Sequence, residues 1–143
     1  MITIQTANIF DERGDAVCVT TNGIVKTNGE AVMGAGMAKE ANIRYNLARE
    51  LGIKLHSGGN HCYIIGRSDK AIVSFPTKYH WRDASDIELI KQSCCEIKSL
   101  ADENNWDRVL LPMVGCGCGR LDTNIVRKTM EKFLDDRFVL CLR

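Results

Sequence analysis

The feature that most constrains the fold of this chain is the alternation of short apolar runs with longer segments of helical periodicity. The runs at residues 16–20 (AVCVT) and 138–142 (FVLCL) are apolar at almost every position, which is typical of strands buried on both faces. Such strands require helices above and below the sheet. The pattern predicts strands at residues 2–5, 16–20, 62–66, 71–75, 109–113 and 138–142.

Three helical patterns separate these runs. In the first, apolar or small residues recur at steps of four, four, three and three and so form one face, which predicts a helix ending at Gly52. The residues of that face are Met37, Ala41, Tyr45, Ala48 and Leu51. Residues 56–60 (HSGGN) are then expected to form a loop.

Two further helices are expected in the second half of the chain. Ser85, with Glu88 three residues later, is typical of a capping box, and Asp122 or Thr123 is a suitable N-cap for the last helix. Alternating strands and helices predict an α/β fold, a three-layer α/β/α sandwich with a mixed, mostly parallel sheet of about six strands. The length favours a single domain over residues 1–143.

Composition excludes several classes of protein. The chain is 45% hydrophobic and 26% charged with a net charge of +1, which is typical of a globular protein and argues against tight non-specific binding to nucleic acid. It has no apolar run near the roughly 20 residues of a membrane span and no signal-peptide pattern. Its seven cysteines include no CxxC pair, which favours a reducing, cytoplasmic compartment. No metal site or cofactor is expected, and a monomer is the default.

Two glycine-rich loops each follow a predicted strand and precede a predicted helix. The first, residues 20–39, contains two Asn-Gly pairs and then Gly34-Ala35-Gly36; the second, residues 115–119, has the sequence GCGCG. Glycine allows a close approach of backbone to ligand, and a helix start directs free N–H groups at anions. A plain strand-to-helix connection is the structural alternative for either loop taken alone.

These two loops and residues 76–82 all follow strands, so we expect them to meet at one edge of the sheet, where ligands of α/β folds bind. Two glycine loops suit a diphosphate, and neighbouring Asn side chains suit sugar hydroxyls, which indicates a nucleotide or dinucleotide-like ligand. The sequence contains neither a P-loop motif nor a complete GxGxxG motif.

The residues of the three segments resemble the macro domain family, whose members bind ADP-ribose. The resemblance rests on residues 33–38 (MGAGMA), 75–82 (FPTKYHWR) and 111–117 (LPMVGCG), and it spans nearly the whole chain. The chain is most similar to the branch that contains the antitoxin macro domains, which remove ADP-ribose from DNA thymine, and the human terminal ADP-ribose protein glycohydrolase. The resemblance therefore implies an ADP-ribosyl hydrolase that acts on a modified nucleobase, such as ADP-ribosylated DNA, or on a protein carboxylate.

The resemblance also implies roles for individual residues. Lys78 matches the lysine that attacks the anomeric carbon. The resemblance also implies a catalytic role for Asn28, and both Asn22 and Asn28 are candidates for contacts to the distal ribose. Asn8 and Ile9 match residues that hold the adenine. The other implied ADP-ribose contacts are Met33, Gly34, Ala35, Gly36, Met37, Thr77, Val114, Gly115, Cys116, Gly117, Cys118 and Gly119.

The chemistry of a lysine nucleophile depends on its protonation. A free lysine has a pKa of about 10.4 and is almost entirely protonated at neutral pH, and only burial or a cationic neighbour lowers such a pKa. Lys39, His80 and Arg82 are the candidate neighbours of Lys78. A charged lysine would still stabilise a leaving group, and a solvated lysine in a polar loop is the structural alternative. For His80 a surface or stacking role is favoured over a general base, and for Trp81 core or lid packing is favoured over base stacking.

The sequence departs from the family at one catalytic position. The human glycohydrolase has an acidic residue just after its second glycine loop, where this chain has Gly119, and Asp122 is only a weak substitute. The missing acid favours a nucleic-acid acceptor slightly, and basic residues are candidates for a rim around the cleft. Those residues are Lys26, Lys54, Arg67, Lys70, Lys78 and Arg82. A non-catalytic ADP-ribose reader and an ADP-ribose 1″-phosphate phosphatase are the alternative functions.

Overall fold

Strands and helices alternate along the chain in a computed structural model that describes residues 2–116 and 119–142. The elements in chain order are β1 (Thr3–Thr6), β2 (Ala16–Thr21), α1 (Gly36–Tyr45), α2 (Ala48–Gly58), β3 (Ile64–Arg67), β4 (Ala71–Pro76), α3 (Ile87–Asn104), β5 (Val109–Leu111), α4 (Thr123–Phe133) and β6 (Phe138–Leu142). The predicted strands are confirmed to within about two residues at each end. Within the described residues, no helix is long and apolar enough to cross a membrane.

The strands form one sheet in the order β1-β6-β5-β2-β4-β3, in which only β3 is antiparallel to its neighbour. Successive residues of a strand point to opposite faces, so Cys18 packs in one core with α3 and α4, while Val17 and Val19 pack in the other with α1 and α2. The predicted three-layer sandwich with a mixed, mostly parallel sheet is therefore confirmed.

The prediction of a single helix between β2 and β3 is wrong, because two helices occupy this region. Asn46 adopts a left-handed conformation with φ of 57° and ends α1. The Asn42 side-chain oxygen accepts hydrogen bonds from the N–H groups of Leu47 (2.8 Å) and Ala48 (2.9 Å), which satisfies donors at the start of α2. Hydrophobic periodicity does not reveal this break, because both helices bury apolar residues in the same core.

Gly52 does not end a helix as predicted, and residues 56–58 continue α2 rather than forming a loop. Gly52 lies inside α2, where a Cβ atom would overlap the carbonyl group of Gly29. The N–H of Ala31 also donates to the carbonyl of Ala48 at 2.8 Å. The glycine therefore allows the first glycine loop to pack directly on the helix.

The N-cap of α3 is Asp86, so the predicted Ser85–Glu88 capping box is wrong. The Asp86 carboxylate accepts from the N–H groups of Glu88 (2.9 Å) and Leu89 (3.2 Å). A one-residue shift in the cap leaves Ser85 outside the helix, with a hydroxyl that has no hydrogen-bond partner among the described residues. For α4 the predicted cap is confirmed, since Asp122 accepts from the N–H groups of residues 124 and 125.

The sheet order brings the predicted ligand-binding segments together. β5, β2 and β4 are adjacent and parallel, so their carboxyl ends lie side by side. The first glycine loop follows β2, residues 77–82 follow β4, and the second glycine loop follows β5. All three segments therefore meet at one edge of the sheet, as expected from the sequence.

Candidate functional site

A cleft of about 660 Å³ lies at this edge, above the carboxyl ends of the three central strands. Its volume falls within the range typical of small-molecule and cofactor sites. The residues that line it are Thr20, Thr21, Asn22, Val32, Met33, Gly34, Ala35, Gly36, Met37, Ala38, Thr77, Lys78, Trp81, Ser85, Pro112, Met113, Gly115, Cys116 and Gly119.

A row of backbone hydrogen bonds forms the floor of the cleft. The N–H of Thr77 donates to the carbonyl of Thr21 (3.0 Å), and the N–H of Asp86 donates to the carbonyl of Thr77 (2.8 Å). The N–H of Ser85 then donates to the carbonyl of Gly119 (2.9 Å). These bonds join the ends of β2 and β4, the start of α3 and the second glycine loop, so the cleft is a defined surface in the free protein.

The first glycine loop forms one wall and is held by Asn22. The Asn22 amide donates to the carbonyl of Val32 (3.1 Å), and its oxygen accepts from the N–H of Ile24 (3.0 Å). Val25 and Ala31 pair as an antiparallel bridge, so the residues between them form a short hairpin that projects from the loop. The loop is therefore held by its own hydrogen bonds, and residues 33–38, which follow the hairpin, line the cleft.

The start of α1 completes this wall and suits an anion. Gly36, with φ of +55°, begins the helix, and Ala35 at the N-cap provides no side-chain hydrogen bond to the first N–H groups. A Cβ atom at Gly34 or Gly36 would meet no atom within 4 Å, so the backbone faces open space here. The free N–H groups and the positive end of the helix dipole are available to a negatively charged ligand.

Lys78 lies in the floor segment after β4 and is half-buried. Its amine lies 3.5 Å from the carbonyl oxygen of Trp81, and its own carbonyl accepts from the side-chain amide of Asn60 at 3.0 Å. The carbonyl of Tyr79 accepts from the N–H of Gly23 at 3.2 Å. The segment that carries Lys78 is thus tied both to the loop before β3 and to the first glycine loop.

Trp81 lies at the mouth of the cleft and is 50% exposed, so it is not a core residue. The guanidinium of Arg82 lies 5.0 Å from the centre of its ring, and the ring of His80 lies 5.2 Å away. The Nδ1 atom of His80 accepts from the N–H of Arg82 at 3.1 Å. His80 is therefore engaged in stacking and in a local turn.

The cleft carries little charge. Among the described residues that line it, only Lys78 and Cys116 are ionisable, and there is no carboxylate. Asp122 uses its carboxylate to cap α4. Within residues 2–116 and 119–142, no group of His, Cys, Asp and Glu side chains is arranged to hold a metal ion.

The predicted basic rim is only partly present. Lys70 is buried, donates to the carbonyl of Phe10 at 3.0 Å and pairs with Asp69, so its assignment to the rim is wrong. The Nζ atoms of Lys26 and Lys54 each lie 3.9 Å from a carboxylate oxygen of a glutamate four residues away, so their charges are partly balanced. Arg82 lies beside Trp81 at the cleft mouth.

Most of the predicted ligand-binding residues line this cleft. They are Asn22, Met33, Gly34, Ala35, Gly36, Met37, Thr77, Lys78, Gly115, Cys116 and Gly119. Gly117 and Cys118 lie outside the described residues. Thr21 and Ser85 also line the cleft but are not among the predicted ligand contacts. Thr21 lies in the first glycine loop of the prediction without a signal of its own, and the spacing of Ser85 and Glu88 indicates a helix cap instead.

Four predicted residues do not line the cleft, and their ligand-binding or catalytic roles remain predictions. Asn28 lies at the exposed turn of the hairpin, where its side chain bonds to Glu30. The Asn8 side chain accepts from the N–H of Phe10. Ile9 and Val114 are buried in the two cores.

A protein-family model matches a large part of the sequence of this chain. The model, described as "Macro domain", matches residues 53–130, which is more than half of the chain. The chain belongs to the macro domain family. This macro domain is 32% identical over 126 residues to proteins named "DNA ADP-ribosyl glycohydrolase" from Mycobacterium bovis and Mycobacterium tuberculosis. The match covers 82% of the chain but only 36% of each mycobacterial protein, so the macro domain spans about a third of their length.

Solved structures agree with this assignment. The macrodomain of Mycobacterium tuberculosis DarG superimposes with a TM-score of 0.81 at 26% identity, covering 100% of this chain and 98% of that one. Thermosipho africanus DarTG, solved in complex with ADP-ribose, has a TM-score of 0.79 at 22% identity, covering 99% of this macro domain and 41% of that chain. The second similarity shows the shared fold alone.

Proposed function

We propose that this macro domain binds ADP-ribose and hydrolyses the bond between the anomeric carbon of its distal ribose and an acceptor group. The observation that carries the proposal is that Lys78 lies on the floor of a cleft, one wall of which is the uncapped start of α1. The relatives named "DNA ADP-ribosyl glycohydrolase" support the same reaction.

The cleft suits the diphosphate and the distal ribose of ADP-ribose. The free N–H groups at residues 34–36 suit the diphosphate, because backbone donors at a helix start bind phosphate without requiring a cationic side chain. Gly115 and Gly119 of the second glycine loop also line the cleft. We therefore expect the distal ribose to lie next to Lys78 on the floor of the cleft.

Lys78 is proposed to act as the nucleophile. The uncharged amine forms an N–C bond to the anomeric carbon while the bond from that carbon to the acceptor breaks, and the acceptor leaves with the electron pair and takes up a proton. Water then cleaves the N–C bond, which releases ADP-ribose and restores the free lysine. With no carboxylate among the described lining residues, the proton transfers depend on Lys78 and on water; if the lysine remains charged, its role is electrostatic stabilisation of the leaving group.

A DNA nucleobase is the acceptor that we favour, with a protein carboxylate as the alternative. The name of the mycobacterial relatives points to DNA, and the half-exposed ring of Trp81 beside Lys78 provides a flat surface at the mouth of the cleft. We also propose that the protein is a monomer. A reducing cytoplasm is proposed as its compartment, because six cysteines among the described residues are free.

The proposal is tested by incubating the protein with three substrates: an ADP-ribosylated DNA oligonucleotide, an ADP-ribosylated protein and ADP-ribose 1″-phosphate. Release of ADP-ribose is followed by chromatography, and binding of free ADP-ribose by calorimetry. We expect release from the DNA substrate, and we expect Lys78→Ala to abolish release while it continues to bind ADP-ribose. Lys128→Ala is the matched control, since Lys128 is exposed on α4 and does not line the cleft.

Other outcomes would replace the proposal with one of the alternatives. Binding without release from any substrate would identify a reader of ADP-ribose. Conversion of ADP-ribose 1″-phosphate alone would identify a phosphatase. Equal release by the wild type and Lys78→Ala would exclude the lysine mechanism, and failure to bind ADP-ribose would exclude the proposed function altogether.

A further inference from the structure

Two residues that line the cleft have buried hydroxyl groups without a hydrogen-bond partner among the described residues. The hydroxyls of Thr21 and Ser85 are inaccessible and unpaired among the described residues, and each residue is only 6% exposed. Both residues line the cleft. The third unpaired buried side-chain atom of the described residues, the amide oxygen of Asn60, belongs to a residue that does not line it.

An unpaired buried hydroxyl is unfavourable for the free protein, because it has lost its bonds to water and gained none in exchange. Most buried polar groups of folded proteins have a partner. Two such groups on residues that line the same cleft therefore point to partners that become available when a ligand binds.

The backbone around Thr21 and Ser85 is bonded to the segment that carries Lys78. The carbonyl of Thr21 accepts from Thr77, the residue directly before Lys78, at 3.0 Å. On the other side, Asp86, directly after Ser85, donates to the carbonyl of Thr77 at 2.8 Å. The backbone hydrogen bonds of the floor thus hold Thr21, Lys78 and Ser85 in neighbouring positions.

The second glycine loop holds the Ser85 side chain in place. The N–H of Ser85 donates to the carbonyl of Gly119 at 2.9 Å. A Cβ atom at Gly119 would overlap the Ser85 hydroxyl, so the two residues are in direct contact. The Ser85 hydroxyl is therefore packed between the loop and the floor of the cleft.

We infer that Thr21 and Ser85 bind the hydroxyl groups of the sugar that lies against Lys78, the distal ribose of ADP-ribose. This assignment rests on the proposed function and adds two residues to the distal-ribose site. A sugar hydroxyl both donates and accepts, which matches two side chains of the same kind.

The first test is the stability of the free protein. Removing an unpaired hydroxyl loses no bond, so Ser85→Ala and Thr21→Val are expected to melt at the wild-type temperature or above it. The contrasting variants remove paired hydroxyls. Ser93→Ala loses a bond of 2.7 Å to the carbonyl of Pro76, Thr129→Val loses one of 2.9 Å to the carbonyl of Ile125, and both are expected to melt at lower temperature.

The second test is the affinity for ADP-ribose and for ADP, which has no distal ribose. We expect Ser85→Ala and Thr21→Val each to weaken ADP-ribose binding about 5- to 10-fold in calorimetry, the usual effect of one lost hydrogen bond. Their affinity for ADP is expected to match that of the wild type. Thr129→Val, which alters α4 away from the cleft, is the control for the isosteric exchange and is expected to bind both ligands normally.

Each result decides the inference. Wild-type affinity for ADP-ribose in both variants would overturn it, as would an equal loss for ADP and ADP-ribose, which would assign the hydroxyls to the diphosphate or nucleoside. Melting temperatures lowered as far as in Ser93→Ala would show that the hydroxyls have structural partners. A wild-type protein that does not bind ADP-ribose would overturn the proposed function, and the inference with it.

Discussion

The hydroxyl of Ser85 occupies the space that a side chain at Gly119 would need for its first carbon atom. The carbonyl group of Gly115 crowds the same space from the second glycine loop. An acidic residue at this position, as in the human glycohydrolase that the chain resembles, is therefore incompatible with the present packing. The Ser85 hydroxyl is the nearest atom of the described residues, apart from the chain neighbours of Gly119, to the position of a Cβ atom there.

Gly119→Ala is expected to destabilise the protein, because its methyl group would overlap Ser85 and the backbone of Gly115. Overpacking of this kind costs about 1–3 kcal/mol in the free energy of unfolding, measured in urea. Combining it with Ser85→Gly is expected to restore part of the loss, since the backbone contact remains. Wild-type stability of Gly119→Ala alone would contradict the packing described for the second loop.

Gly52→Ala separates tertiary packing from helix propensity. Propensity alone predicts that alanine inside α2 stabilises the protein by up to about 1 kcal/mol. The overlap of a Cβ atom with the carbonyl of Gly29 predicts the opposite, a loss of about 1–3 kcal/mol. Urea unfolding distinguishes the two by sign, and a stabilised variant would show that the hairpin does not pack on α2.

Gly34→Ala provides the matched glycine variant for ligand binding. A Cβ atom at Gly34 meets nothing within 4 Å, and its backbone does not need a positive φ. The free energy of unfolding should therefore stay within about 0.5 kcal/mol of the wild type. The added methyl group would occupy the face of the loop assigned to the diphosphate, so ADP-ribose affinity in calorimetry is expected to fall about 10-fold or more. Unchanged affinity would place the ligand elsewhere.

The adjacent residues Cys94 and Cys95 are expected to differ in reactivity. Burial raises the pKa of the Cys94 thiol to about 12, with a smaller contribution from the proximity of Cys95, whereas Cys95 is exposed. Burial also raises the pKa values of Cys18 and Cys62 well above the ordinary range. Since the thiolate is the reactive form, iodoacetamide at pH 8 should label Cys95 in the native protein and the buried thiols only after unfolding.

Tandem mass spectrometry locates the label on the peptide that contains both residues. In Cys95→Ser, the same peptide should stay unlabelled under native conditions. Native labelling of Cys94 at a rate comparable to Cys95 would contradict the burial of the α3 core face.

Asp135→Asn is expected to lower stability in a pH-dependent way. Hydrogen bonds from the Arg137 side chain, together with its charge, lower the pKa of the Asp135 carboxyl, and the two bonds measure 3.0 and 2.8 Å. A carboxyl whose pKa is lower in the folded state contributes stability above its unfolded pKa of about 3.9 and loses it as the pH falls through the folded value.

The pair is partly exposed, so its contribution is discounted to about 1 kcal/mol at pH 7. Urea unfolding at pH 7 and at about pH 2.5 measures the difference between wild type and variant. The difference should shrink at the lower pH, and a constant difference would show that charge is not its cause.

The amino-acid sequence by itself determined the layers of the fold. Apolar runs such as residues 16–20 leave no polar face, so these strands had to be covered on both sides, and their alternation with helical patterns indicates a parallel sheet. The same order places a loop after each central strand at one edge, which is why most of the predicted ligand-binding residues do line one cleft. These features follow from the spacing of apolar residues and from the order of strands and helices along the chain.

The tertiary structure decided the features that depend on contacts between distant segments. Gly52 resembles a helix terminus until the hairpin around Gly29 is seen to pack on it, and Lys70 resembles a surface charge until the carbonyl of Phe10 is found to bind it. Ser85 resembles a helix cap, yet a one-residue shift gives that role to Asp86 and leaves the Ser85 hydroxyl buried without a partner among the described residues. Sequence periodicity records which residues avoid water, whereas the partner of a buried polar group is known only once the chain has folded around it.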